Sequence, residues 1–246
     1  MNRRRFLALV AGSVGGVGLL YAGERALDRK LDVRVWLSEA AAAYAEVRPR
    51  LVGYLDRAID GFGGEGSVSV GGTVDVATED GYRVTASGEW PGKLATGAVE
   101  PAADVNLLVT DGEMSTSPTG LGLPHVASVG GARHVARMPP PSETADVVGF
   151  SKRALVTQIL VHECGHALGL RHNDGEVVDR GNHVVVTPMV SGYTWADESV
   201  REREFDHDTS ACGTAYAGHD GKDVRLAMTF SPCARRRIRR LRGDGP

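Results

Sequence analysis

Cysteine is scarce: the 246 residues hold three, and none precedes position 164. A lipid-bearing cysteine behind an N-terminal export segment is thereby excluded. No internal repeat, long linker or EF-hand spacing is present, and the length suits one sizeable domain rather than two. Long apolar runs are missing as well. The exception is residues 6–22, whose 17 mostly apolar positions lie at the lower limit for crossing a bilayer. Net charge is only −3, but it is unevenly spread. Between Phe6 and Ala234 stand 19 basic and 30 acidic residues, a balance of −11. The folded body is acidic, and nucleic acid is not an expected partner.

The chain concentrates its chemistry in His162-Glu163-Cys164-Gly165-His166-Ala167-Leu168-Gly169-Leu170-Arg171-His172. Residues four apart on an α-helix share a face about 6 Å apart along the axis, so His162 and His166 can converge on one ion. Glu163, rotated by about 100° from His162, stands beside that ion rather than on it, the position of a general base. A helix continued through His172 would carry the third imidazole about 9 Å past His166 and out of reach. Gly169 is placed to stop the helix, because glycine adopts the left-handed conformation without a Cβ penalty and can turn the chain back. Three protein ligands leave a fourth position open, as in catalytic rather than structural zinc sites. Zinc lowers the pKa of a bound water to about 7; Glu163 can take its proton as it attacks a carbonyl and return it to a leaving amine.

At every fixed position this stretch resembles the H-E-x-x-H-x-x-G-x-x-H pattern of the metzincin clan of zinc endopeptidases. Gly165 and Ala167-Leu168-Gly169-Leu170 are similar to matrixins, whereas Asn173-Asp174 after the third His departs from them and resembles adamalysins only with Asp one place late. No subfamily is assigned. The resemblance implies an α+β, zincin-like metalloprotease fold: a mixed twisted sheet with a backing helix and an active-site helix, plus a small C-terminal subdomain. It also implies a methionine turn beneath the metal. Met189, in Thr187-Pro188-Met189-Val190-Ser191-Gly192-Tyr193, suits that turn better than Met228. Tyr193, four residues after the Met rather than two, is the candidate for stabilising an oxyanion. A matrixin-type propeptide cysteine is not encoded. The strand that would form the upper rim of the cleft and pair with substrate corresponds to about residues 125–130.

The resemblance divides residues 27–246 into an N-terminal subdomain of about 31–172 and a C-terminal one of about 173–246. Residues 1–26, with Arg3-Arg4-Arg5-Phe6-Leu7 before the apolar run, read as a twin-arginine-type signal or a short N-terminal anchor. Both readings place the body outside the cell. In that compartment Cys212 and Cys233 can pair, while Cys164 reads as a small buried hydrophobe. Asp111 and Asp174 lie in turns that could bind calcium, and structural calcium is otherwise unsupported. His125, His134, His183, His207 and His219 lack ligand spacing.

Leu31 to Leu37 alternates as a strand ahead of an Ala-rich helix from Glu39 to Ile59, interrupted near Pro49. Gly61 to Gly66 reads as a loop. Strands are expected at Ser67–Thr78, Tyr82–Trp90, Val105–Thr110, His125–Val129 and His134–Met138. The active-site helix should span about Ser151 to Leu168, and Ser231-Pro232 should open a C-terminal helix. The expectation is therefore an exported, monomeric zinc endopeptidase with one catalytic Zn2+ on His162, His166 and His172, acting on protein or peptide. Membrane contact would come only through an uncleaved N-terminal segment. The alternatives are a zinc-retaining surface binding protein without turnover and an intracellular thiol enzyme centred on Cys164.

Overall fold

The computed structural model describes residues 30–60, 66–114, 119–205, 212 and 219–243. The signal or anchor at residues 1–26, most of the Gly61–Gly66 loop, and His207 lie outside the described residues.

The fold is mixed α+β with two mixed sheets. In β1 (Asp32–Ser38), Val33, Val35 and Leu37 face one side and Trp36 the other, the period-2 pattern expected of a strand buried on both faces. β1 lies between β2 (Ser67–Val74) and β3 (Val105–Val109), parallel to both. β3 continues in parallel to β5 (Val126–Val129), and β4 (Gly120–Leu123) closes the sheet antiparallel to β5, giving the order β2-β1-β3-β5-β4.

Two helices cover one face of this sheet: α2 (Val47–Ile59), which follows the short α1 (Glu39–Ala42), and the central α6 (Lys152–Ala167). Leu51, Leu55, Val156 and Leu160 meet Val33, Leu37, Leu107 and Val109 in the main core. Each fully buried side chain of this size contributes roughly 1.5–3 kcal/mol. The expected break near Pro49 falls at residues 43–46 instead, and Pro49 occupies the first turn of α2, where its missing N–H has no intrahelical partner to lose.

The other face of the sheet is covered by α3 (Gly81–Ala86) and α4 (Glu89–Thr96), whose Val84, Trp90 and Leu94 pack on Trp36, Leu108 and Val126. Tyr82–Trp90 is thus helical rather than the expected strand. Asp80 caps α3 by accepting from the amides of Tyr82 and Arg83, each at 3.0 Å, and left-handed Gly88 starts the next helix. His134–Met138 is likewise corrected to a helix, α5 (Ala132–Ala136), entered through left-handed Gly131. The rim strand is corrected too. β5 has neighbours on both sides, and the edge strand on its side of the sheet is β4, with β2 at the other edge.

The second sheet has the order β6-β9-β8-β7, from β6 (Val147–Gly149), β7 (Val177–Asp179), β8 (His183–Val186) and β9 (Asp223–Ala227). β8 and β9 are parallel, while β6 and β7 flank them antiparallel. Gln158 on α6 ties this sheet to the first by donating to the carbonyls of Val186 and Ala227, each at 2.8 Å. β6 precedes α6 in sequence yet pairs with β9, so the two sheets do not divide the chain at a single point. Two further helices, α7 (Glu198–Glu204) and α8 (Pro232–Arg242), follow in the C-terminal part. No helix among the described residues is long and apolar enough to cross a membrane.

Candidate metal centre

α6 begins at the N-cap Ser151, whose hydroxyl accepts from the Ala154 amide, and ends in the turn anticipated from Gly169. Gly169 has φ +90°; its amide donates to the His166 carbonyl and that of Leu170 to the Gly165 carbonyl, both at 2.9 Å. This is the Schellman arrangement, and it satisfies helix-end carbonyls while reversing the chain. His172 is carried back toward α6, and Asp174 fixes the return by accepting from the Arg171 amide at 2.8 Å.

The three imidazoles then converge. The Nε2 of His166 lies 3.0 Å from that of His162 and 3.1 Å from that of His172. All three rings could offer ligand atoms within 4.8 Å of one another. Each Nδ1 faces an acceptor: the Pro188 carbonyl at 2.8 Å for His162, the Leu170 carbonyl at 2.9 Å for His166, and the Glu204 carboxylate at 3.3 Å for His172. Acceptor-only partners require the proton on Nδ1 of a neutral ring, so three Nε2 lone pairs point at one another.

Protonation does not relieve that repulsion. Burial, with the neighbouring imidazoles, holds His162 well below the ordinary histidine range and His166 at about 4, and burial lowers His172 against the pull of Glu204. A cation relieves it. Tetrahedral ligands roughly 2.0–2.1 Å from zinc stand roughly 3.3–3.4 Å apart, close to the observed spacings. The triad therefore fits a metal ion, zinc included, and the acceptors on Nδ1 are the partners that orient metal-ligating histidines.

Glu163 is buried beside the triad and its carboxyl makes no hydrogen bond among the described residues; burial pushes that carboxyl up to about 8. β4 crosses directly over it. A Cβ on Gly120 would come within 2.6 Å of Glu163 Oε1, and one on Gly122 within 2.3 Å of His166 Cβ. Only glycine at both positions lets the strand approach α6 so closely.

Met189 is fully buried against α6, where a Cβ on Gly165 would lie 2.5 Å from its sulfur and 2.9 Å from the Phe230 ring. The Thr187–Ser191 turn brings it there, with the Thr187 carbonyl accepting from the amides of Val190 and Ser191. Met228, the other candidate, is buried in the separate core of the second sheet. The Tyr193 ring stands 4.5 Å from His172 and 6.1 Å from His162. Burial, followed by the charges of Glu204 and Glu163, pushes its phenol up to about 12.

None of the remaining sequence candidates offers a ligand to this cluster. Cys212 and Cys233 form a disulfide, with their Cα atoms 5.5 Å apart. Cys164 is free and fully buried, its thiol pushed up to about 12 by burial, far from a reactive thiolate. Asp111 is taken up by the Tyr44 hydroxyl at 2.8 Å and by Arg133, and Asp174 by the turn it closes, so both carboxylates of the proposed calcium turns are engaged by protein groups. Sequence spacing missed Glu204 and the two β4 glycines, because neither has a fixed offset from the histidines. No family model matches the chain and no curated protein matches it in sequence.

Proposed function

We propose that the protein is an exported zinc-dependent endopeptidase of the metzincin type with a zincin-like fold. His162, His166 and His172 would hold one zinc ion, with Glu163 as general base and then general acid. The observation that carries the reading is the set of three Nε2 lone pairs, fixed by acceptors on every Nδ1, beside a buried carboxyl with no partner of its own. Bound zinc supplies Lewis acidity, making water a nucleophile near neutral pH and polarising a carbonyl.

The chain's own groups do the rest. Glu163 takes a proton from the attacking water and delivers it to the departing amine; the charge of the bound cation would favour the carboxylate needed for the first transfer, and burial favours the protonated form that hands the proton on. Tyr193, protonated throughout the neutral range, can donate to the oxyanion as it develops. Met189 supports α6 from below at Gly165. The open edge of β4 suits an extended peptide added as a further strand above Glu163 and His166. Export agrees with the Cys212–Cys233 disulfide and with the arginine-led N-terminus.

The test is hydrolysis of casein by the zinc-loaded chain and by Glu163→Gln. Cleavage abolished in the variant while zinc content stays equal is the expected result. Zinc bound without cleavage in the wild type would instead identify a binding protein.

A further inference from the structure

α8 packs its inner face against the turn that carries His172 but lends no side chain to the triad, and its sign opposes the rest of the body. It carries six arginines in 11 residues, whereas residues 6–234 balance at −11. Ala234 and Ile238 bury one side of the helix. On the other, Arg236, Arg237 and Arg240 are exposed and Arg239 is half-buried, and none of the four forms an ion pair among the described residues. Arg236 and Arg240 repeat at the i,i+4 spacing at which like charges oppose helix formation. The helix dipole favours cations in the last turn only, and Arg235 to Arg237 stand in the first half. The local physics of the helix therefore does not account for this face, and a polyanion would.

The position of α8 selects the polyanion. Arg242 Nη1 lies 3.3 Å from Asp104 Oδ2, which accepts from the Asp32 amide at 2.8 Å. The end of α8 thus sits beside the start of β1, where residues 1–29 join the described fold. Those residues contain the apolar run 6–22, and Arg25, Arg29 and Lys30 follow it together with Glu24 and Asp28.

We propose that the exposed arginine face of α8 docks on anionic phospholipid headgroups of the membrane that the N-terminal segment engages. The inference rests on reading residues 1–26 as membrane-associated and is independent of proteolysis. Guanidinium groups pair phosphates through two parallel N–H donors. Each basic residue near an anionic bilayer strengthens partitioning roughly fivefold at low salt, so three together contribute on the order of 10²-fold.

The test is co-sedimentation of the full chain with phosphatidylcholine vesicles, with or without phosphatidylglycerol, at low and high salt. The R236Q/R237Q/R240Q variant should lose on the order of 10²-fold in affinity for the anionic vesicles at low salt, while a control neutralising exposed Arg83, Lys152 and Arg180 loses little. Wild type and variant should bind neutral vesicles equally, since that binding reports the N-terminal segment alone. Absent neutral binding would remove the N-terminal reading. Equal anionic binding by wild type and variant, an equal loss in the control, or displacement from the vesicles by a short single-stranded oligonucleotide would overturn the α8 proposal.

Discussion

Replacing Gly165 by alanine sets two known effects against each other at one atom. In an isolated helix the change would stabilise by about 1 kcal/mol, because glycine is the poorer helix former. Here the new methyl would stand 2.5 Å from the Met189 sulfur and 2.9 Å from the Phe230 ring, and both side chains are fully buried. Overpacking of this kind costs about 1–3 kcal/mol. The sulfur would have to retreat by about an ångström into a packed core, which puts the cost in the upper half of that range. Gly165→Ala should therefore destabilise by about 1 kcal/mol or slightly more. In a Met189→Ala background the sulfur is gone and the Phe230 ring, still 2.9 Å from the methyl, has space to give, so the same change should lie between neutral and about 1 kcal/mol stabilising. The coupling between the two sites is then about 1–2 kcal/mol, read by urea unfolding of metal-stripped protein so that metal affinity does not enter. Stabilisation by Gly165→Ala in both backgrounds would show that Met189 does not sit against α6.

Two other perturbations address the imidazoles. Glu204→Ala should weaken zinc binding roughly 10–100-fold in competition with a chelator, and Glu204→Gln, which keeps an acceptor for His172 Nδ1, should weaken it less; unchanged affinity in both would exclude a role for Glu204. The metal-stripped protein should also lose stability on acidification. Folding holds His166 at about 4 against an ordinary 6.5, so below about pH 6.5 the unfolded chain binds protons that the folded one refuses. His166 alone then contributes a loss on the order of 3 kcal/mol between about pH 6.5 and 4, with His162 and His172 acting in the same direction. Glu163 works oppositely, its contribution falling as pH rises from about 4.5 through 8. Urea midpoints measured from pH 6.5 to 5, above the carboxylate range, should fall, and fall less in His166→Asn; a flat profile would contradict the burial of neutral imidazoles.

The parts of the site legible in sequence are those fixed by local rules. Ser151 and Gly169 mark the ends of α6 because a hydroxyl cap and a left-handed glycine act within one turn of helix. The same reasoning opened α8 at Ser231-Pro232. It failed at Tyr82–Trp90, where aromatic and β-branched residues suggested a strand while Asp80 and Gly88 were specifying two helices. β4 escaped for a different reason. Gly-Leu-Gly-Leu has little β-propensity of its own, and its glycines are required by α6, which comes later in the chain. Glu204 is tied to His172 only through tertiary packing, in which the tilted rings of Tyr193 and Phe205 also lie against the imidazole.

X-ray absorption at the zinc edge of the loaded protein tests the central claim most directly. Three nitrogen scatterers at about 2.0–2.1 Å and no sulfur are predicted, with the signal lost in His166→Ala. A sulfur shell at about 2.3 Å, or a spectrum unchanged in that variant, would place the metal elsewhere and contradict the account.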